Sequence, residues 1–81
     1  MNNLGATIKI CRTRRDMTQE ALAEASDLTI GSISLIERDL REPSLPALSR
    51  IAEAFDIPAW ILLYMVEDSG EGWEEHVPPT K

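Results

Sequence analysis

Apolar residues recur along this chain in short bursts at three- and four-residue spacing, each burst closed by a polar residue or a proline. Leu4, Ile8, Cys11 and Arg15 keep that spacing, with Arg12 beside the seam, and predict a first helix over about residues 4–15. Thr18 is a good N-cap for a second helix over 19–26, whose Leu22 and Ala23 face inward. Thr29 caps a third over 30–38, with Ile33 and Ile36 on one face, and Ser44 caps a fourth over 45–55. Leu48, Ile51, Ala52 and Phe55 form the clearest apolar stripe in the chain, and Pro46 falls in the first turn, where its missing N–H costs nothing. Pro58 opens a fifth helix over 59–66. No stretch alternates long enough to make a strand. The expected fold class is all-α, a bundle of five helices.

With 81 residues the chain should form one domain, and 5% aromatic content suits a small helical protein better than an aromatic-rich sheet. A lone cysteine, Cys11, excludes an internal disulfide and a cysteine-rich zinc site. The lone histidine, His76, stands in a polar segment, so no metal and no cofactor is expected. Nor is an enzyme: no Ser/His/Asp or Cys/His set falls on a rigid element, and the adjacent Glu74 and Glu75 cannot face a common site on a helix. No apolar run approaches the ~18 residues of a membrane span, and no basic, apolar leader is visible, so a cytoplasmic protein is expected.

Charge divides the chain in two. The net charge is −6, and residues 67–81 hold Glu67, Asp68, Glu71, Glu74 and Glu75 against Lys81, a net of −4. This C-terminal tail is polar and acidic, contains Gly70 and Gly72, and carries Pro78-Pro79, which cannot continue a helix. It is either mobile or packed on the domain through Trp73 and Val77. Residues 1–66 are nearly balanced, with seven positive charges against nine negative. Six of those seven are arginines, which suit phosphate better than lysine does. An acidic total argues against a nucleic-acid partner without excluding it.

Two short helices a few residues apart, each with its own threonine cap, are the functional signal. Ala23 is small where the second and third helices would approach, and Leu22, Leu28, Ile33 and Ile36 can bury beneath them. The third helix then exposes Ile30, Gly31, Ser34, Leu35 and Arg38, as a helix-turn-helix presents its recognition helix to the major groove. Spacing alone suits a plain helical bundle somewhat better.

The residues that decide between them are Met17-Thr18-Gln19-Glu20-Ala21-Leu22-Ala23, then Ile33-Ser34-Leu35-Ile36-Glu37-Arg38 and Arg41-Glu42-Pro43-Ser44, then Leu48-Ser49-Arg50-Ile51-Ala52-Glu53-Ala54-Phe55. With them the chain resembles the lambda-repressor-like (XRE, Cro/C1-type) helix-turn-helix family over residues 4–66. The resemblance implies a five-helix DNA-binding domain over 1–66, a homodimer on a palindromic operator in double-stranded DNA, and transcriptional regulation. It places Gln19, Thr29, Ile30, Gly31, Ser32, Ser34, Leu35, Arg38 and Arg41 at the DNA, and joins Arg12 to Glu37 in a structural ion pair. Arg14 and Arg15 read as a solvated helix end, and Cys11 as a small buried hydrophobe.

Three departures colour this reading. Ile30, Gly31 and Leu35 stand where relatives often carry glutamine, asparagine or arginine, which leaves thymine methyls and DNA shape as the means of discrimination. Asp16, Asp27, Asp39 and Asp56 replace the family's turn glycines, so glycine at Asp27 or Asp39 should hold stability or raise it slightly. Finally, residues 59–66 are apolar throughout, yet a short helix buries one face. Trp60, Ile61 and Tyr64 are therefore expected at a dimer interface, unless Trp73 covers them. The competing function is a protein-interaction module, such as an antitoxin bound to its toxin or an anti-repressor.

Overall fold

Hydroxyl side chains start three of the described helices, and aspartates close four of them. The computed structural model describes residues 3–68, with side chains to residue 64, and every regular element among them is helical. The order is α1 (Leu4–Arg14), α2 (Gln19–Ser26), α3 (Ile30–Glu37), α4 (Leu45–Ala54) and α5 (Ala59–Asp68). Thr18, Thr29 and Ser44 hold extended backbone, and their hydroxyls accept from the N–H of Ala21, Ser32 and Ala47 at 3.0, 3.0 and 3.1 Å. Each cap thereby satisfies one of the N–H groups that a helix start leaves unpaired.

The first four helices all close the same way. Asp16, Asp27, Asp39 and Asp56 have φ of 55, 61, 60 and 63°. The next residue then returns its N–H five positions back. Met17 reaches the Arg12 carbonyl, Leu28 that of Ala23, Leu40 that of Leu35 and Ile57 that of Ala52, all at 2.9–3.0 Å. The aspartate-then-apolar pair thus ends a helix and starts the chain on its next course. Met17, Leu28 and Ile57 turn into the core, whereas Leu40 stays exposed. Left-handed backbone costs a side-chain-bearing residue ~1–2 kcal/mol, and aspartate is among the few that accept it.

Tight turns also shift the expected boundaries. α1, α3 and α4 each stop one residue early, at Arg14, Glu37 and Ala54, because the closing turn takes Arg15, Arg38 and Phe55. α5 runs two residues further than the pattern predicts, to Asp68. The remaining acidic segment, with Trp73 and Val77, lies outside the described residues.

Ile8, Leu22, Ile33, Ile51, Phe55, Ile61 and Leu62 fill the centre. α2 packs on α3 and α4, α1 on α3 and α5, and α4 on α5. One junction is tighter than side chains allow. A Cβ on Gly5 would sit 2.5 Å from the Glu37 carbonyl oxygen and 2.6 Å from that of Ile36, so the start of α1 presses on the backbone ending α3. Asn3 supplies no side-chain cap there; instead Asp39 Oδ1 accepts from the Gly5 N–H at 3.2 Å.

That cap separates two aspartates the sequence treats alike. Asp27→Gly should raise stability by about 0.5–1 kcal/mol, since left-handed strain is relieved and no side-chain bond is lost. Asp39→Gly should lose about 0.5–1 kcal/mol instead, because the N-terminus of α1 loses its acceptor. Thermal melts of both variants should move in opposite directions by a few degrees.

Candidate nucleic-acid interface

Three residues, Asp27, Leu28 and Thr29, connect α2 to α3, and the left-handed Asp27 turns the chain sharply between them. Ala23, Ile33 and Ile36 are buried where the helices meet, so the opposite side of α3 faces outward. It carries Ile30, which is 47% exposed, an exposed Gly31 and Arg38, and half-buried Ser32, Ser34 and Leu35. The structure therefore gathers on one surface the α3 residues expected to face DNA.

Their polar groups are already partly engaged. Thr29 Oγ1 holds the cap on α3, leaving its hydroxyl proton to donate. Arg41 Nη1 donates to Ser32 Oγ at 2.9 Å, bringing a guanidinium from the loop after α3 back to that helix's first turn. Arg38 Nε lies 3.4 Å from the Ser34 carbonyl oxygen.

Behind this surface is a buried polar network. Arg12 Nε donates to Glu37 Oε2 at 2.6 Å and Nη2 to Oε1 at 3.1 Å. The two side chains are 10% and 3% exposed. Arg12 Nη1 also donates to the Met17 carbonyl at 2.8 Å, and Gln19 Nε2 donates to Glu37 Oε1 at 3.0 Å. A bidentate arginine–carboxylate pair is geometrically demanding, and here it ties α1, the following turn, α2 and α3 together. The expected ion pair is present. Gln19, read from the sequence as a DNA contact, also belongs to it, and one of its amide hydrogens is committed to Glu37. Among the described residues, no buried side-chain nitrogen or oxygen lacks a partner.

Two arginines have roles the local pattern does not reveal. Arg15, expected in solvent, is half-buried: its Nε donates to the Phe55 carbonyl at 3.1 Å and its Nη1 to the Cys11 carbonyl at 3.2 Å. Its guanidinium lies 5.3 Å from the Phe55 ring centroid, within cation–π range. Arg50 Nε donates to the Ser26 carbonyl at 2.9 Å and closes the end of α2. Both bind helix-terminal carbonyls, so neither reads as a phosphate ligand. Exposed arginine on this surface comes down to Arg38 and Arg41.

Elsewhere, Cys11 is buried as expected. Burial pushes its thiol above the ordinary range, while Arg15 and Arg14 pull the other way, so it stays a protonated, inert group. On α5 the expectation needs one correction. Ile61 is only 2% exposed and packs in the core with Leu62, so it cannot line an external interface. Trp60 is 65% exposed, and Leu63 joins it with Tyr64 on the outer face. Packing on α1 and α4 holds 61 and 62 inward, and the helical period then turns 60, 63 and 64 outward. Among the described residues no three His, Cys, Asp or Glu side chains could hold a metal ion, and no helix is long and apolar enough to cross a membrane.

Residues 8–59 match the helix-turn-helix family. The HTH-type transcriptional regulator PrpR of Mycobacterium tuberculosis is 38% identical over 55 residues, or 68% of this chain, although the chain spans only 11% of that protein's length. Among solved structures, the clp gene regulator ClgR from Corynebacterium glutamicum aligns with a TM-score of 0.78 and 30% identity, covering 83% of this chain and 71% of that one. The wild-type restriction-modification controller protein C.Esp1396I aligns at 0.74 and 30% identity, over 82% and 87%. The DNA-binding domain of the P22 C2 repressor gives 0.74 at 25% identity, over 86% and 96%.

Removing one member of the buried pair should be far worse than removing both. Glu37→Ala leaves the Arg12 charge buried and should cost about 3 kcal/mol in urea unfolding. The double variant Arg12→Met with Glu37→Met should recover most of that loss, because neither charge then needs compensation.

Proposed function

The chain belongs to the helix-turn-helix family of DNA-binding transcriptional regulators, and from that premise we propose that it reads a palindromic operator as a homodimer. The observation that carries this reading is the outward face of α3. Ile30, Gly31, Ser34 and Leu35 form a helix-wide surface, with Arg38 and Arg41 exposed beside it. We assign the base-facing role to Ile30, Gly31, Ser32, Ser34 and Leu35, and the phosphate role to Arg38 and Arg41. Thr29 and Gln19 join them at the N-termini of α3 and α2, where anions are favoured. Residues 1–66 form the DNA-binding unit, and the acidic segment 67–81 opposes non-specific binding by its net charge of −4.

The outer face of α5 supplies the dimer contact, through Trp60, Leu63 and Tyr64. A two-fold pair presents two recognition helices, and operators of this kind repeat at about one helical turn. The sequence similarity to a transcriptional regulator, and the structural similarity to a gene regulator and a controller protein, support a regulatory role. The competing reading, a module that binds protein, draws on the apolar exposed Ile30 and on Trp60.

Arg38→Ala and Arg41→Ala should each weaken binding to a footprinted operator and to a scrambled duplex by a similar factor. Each is carried by both protomers of the dimer and should flatten the slope of log affinity against log salt by about 1.8. Ser34→Ala should weaken the operator alone. A wild type with no preference between the duplexes at low salt would hand the surface to a protein partner. Trp60→Glu should convert dimer to monomer in sedimentation and weaken operator binding, with the helical circular dichroism unchanged. A wild type that sediments as a monomer at tens of micromolar removes the dimer from the proposal.

A further inference from the structure

Gly5 and Gly31 both lie in helices, yet only one is explained by the fold. Gly5 has backbone oxygens within 2.6 Å of where a Cβ would stand. At Gly31 a Cβ would meet only Thr29 Oγ1, at 3.9 Å, an ordinary contact, and no left-handed φ requires glycine there. The position lies in the first turn of α3, exposed, where alanine would strengthen the helix. Nothing inside the domain asks for a missing side chain.

The surroundings indicate what does. Ile30 stands beside it, 47% exposed, offering hydrocarbon. The hydroxyl oxygens of Thr29 and Ser32 already accept hydrogen bonds, from the Ser32 N–H and from Arg41. At positions 30 and 31 this turn thus presents an aliphatic side chain and bare backbone, between two hydroxyls whose oxygens are engaged and with a guanidinium held close by. In the major groove, the matching group is the 5-methyl of thymine, the apolar mark on an otherwise polar edge. A cation beside it suits the neighbouring phosphate.

We propose that Gly31 is a specificity-determining residue: its missing side chain leaves a methyl-sized notch beside Ile30 in which a thymine methyl of the operator seats. This rests on the operator-reading function above and adds to it which base the first turn of α3 selects. An alanine methyl at 31 occupies the same space, so gain of helix stability and loss of recognition go together.

The experiment pairs Gly31→Ala with a uracil scan, in which each thymine of a footprinted half-site is replaced by deoxyuridine, removing only the methyl. Wild type should lose about tenfold in affinity at one or two positions. Gly31→Ala should melt about 3–5 °C higher, bind the all-thymine operator about tenfold more weakly, keep its affinity for scrambled duplex, and no longer respond to uracil at those positions. Wild-type indifference to uracil, a lower melting temperature for Gly31→Ala, or unchanged operator affinity in that variant would each overturn the notch while leaving operator binding intact. If wild type yields no footprint on any duplex, the operator reading falls first and the notch with it.

Discussion

The carboxylate of Glu37 is the point through which the domain's geometry passes. It is the last residue of α3, and it receives Arg12 from α1 and Gln19 from α2 on its two oxygens. Its own backbone carbonyl abuts the start of α1 at Gly5. The angle of α3 to the rest of the bundle is therefore fixed from both the side-chain and the main-chain side. A buried ion pair adds little net stability, since desolvation offsets much of its attraction. What it does supply is register, because a bidentate pair tolerates little error in distance or plane. A recognition helix needs that kind of rigidity more than it needs stability, since an ångström of play at a base edge is most of a contact.

Whatever depends on short-range order was legible in the sequence. Thr18, Thr29 and Ser44 act as caps because each stands immediately before a helix it can satisfy alone, and the four aspartates accept left-handed turns for equally local reasons. The Arg12–Glu37 pair was foreseen only through family resemblance; spacing has no means of joining positions 25 apart. Other long-range contacts went unforeseen for the same reason. Asp39 caps α1 from 34 residues away, and Arg15 reaches a carbonyl 40 residues on. Ile61 was misplaced for a different reason. Residues 59–66 are apolar on every side, so periodicity could not say which face the core would take, and only the packing of α1 and α4 decides it.

These contacts also revise the electrostatics. Six arginines near a helix-turn-helix suggest a generous supply of positive charge, but Arg12, Arg15 and Arg50 are consumed by Glu37 and by helix-terminal carbonyls. Aspartates at the four turns take positions that glycine would leave neutral. They stand where one helix's negative end gives way to the next element. Asp16 and Asp27 each lie two residues before a threonine cap, so the unfavourable dipole behind is partly offset by the favourable one ahead. The fold tolerates the charge at little cost, and on the proposed function that charge opposes binding to random duplex.

On the proposed function, that scarcity has a consequence for selectivity. Beside the outward face of α3, Arg38 and Arg41 of each protomer give a dimer about four phosphate contacts and a salt slope near −3.6. Sequence-independent binding is weak under such conditions, and the acidic balance weakens it further. Affinity must then come from contacts that differ between sequences, which on α3 are Ile30, Gly31, Ser34 and Leu35. Those side chains are short or apolar and give no bidentate bonds, so each one discriminates modestly. The arrangement is workable only because both halves are modest together. A specificity ratio is a difference of free energies, and lowering the non-specific affinity widens it as effectively as strengthening a base contact.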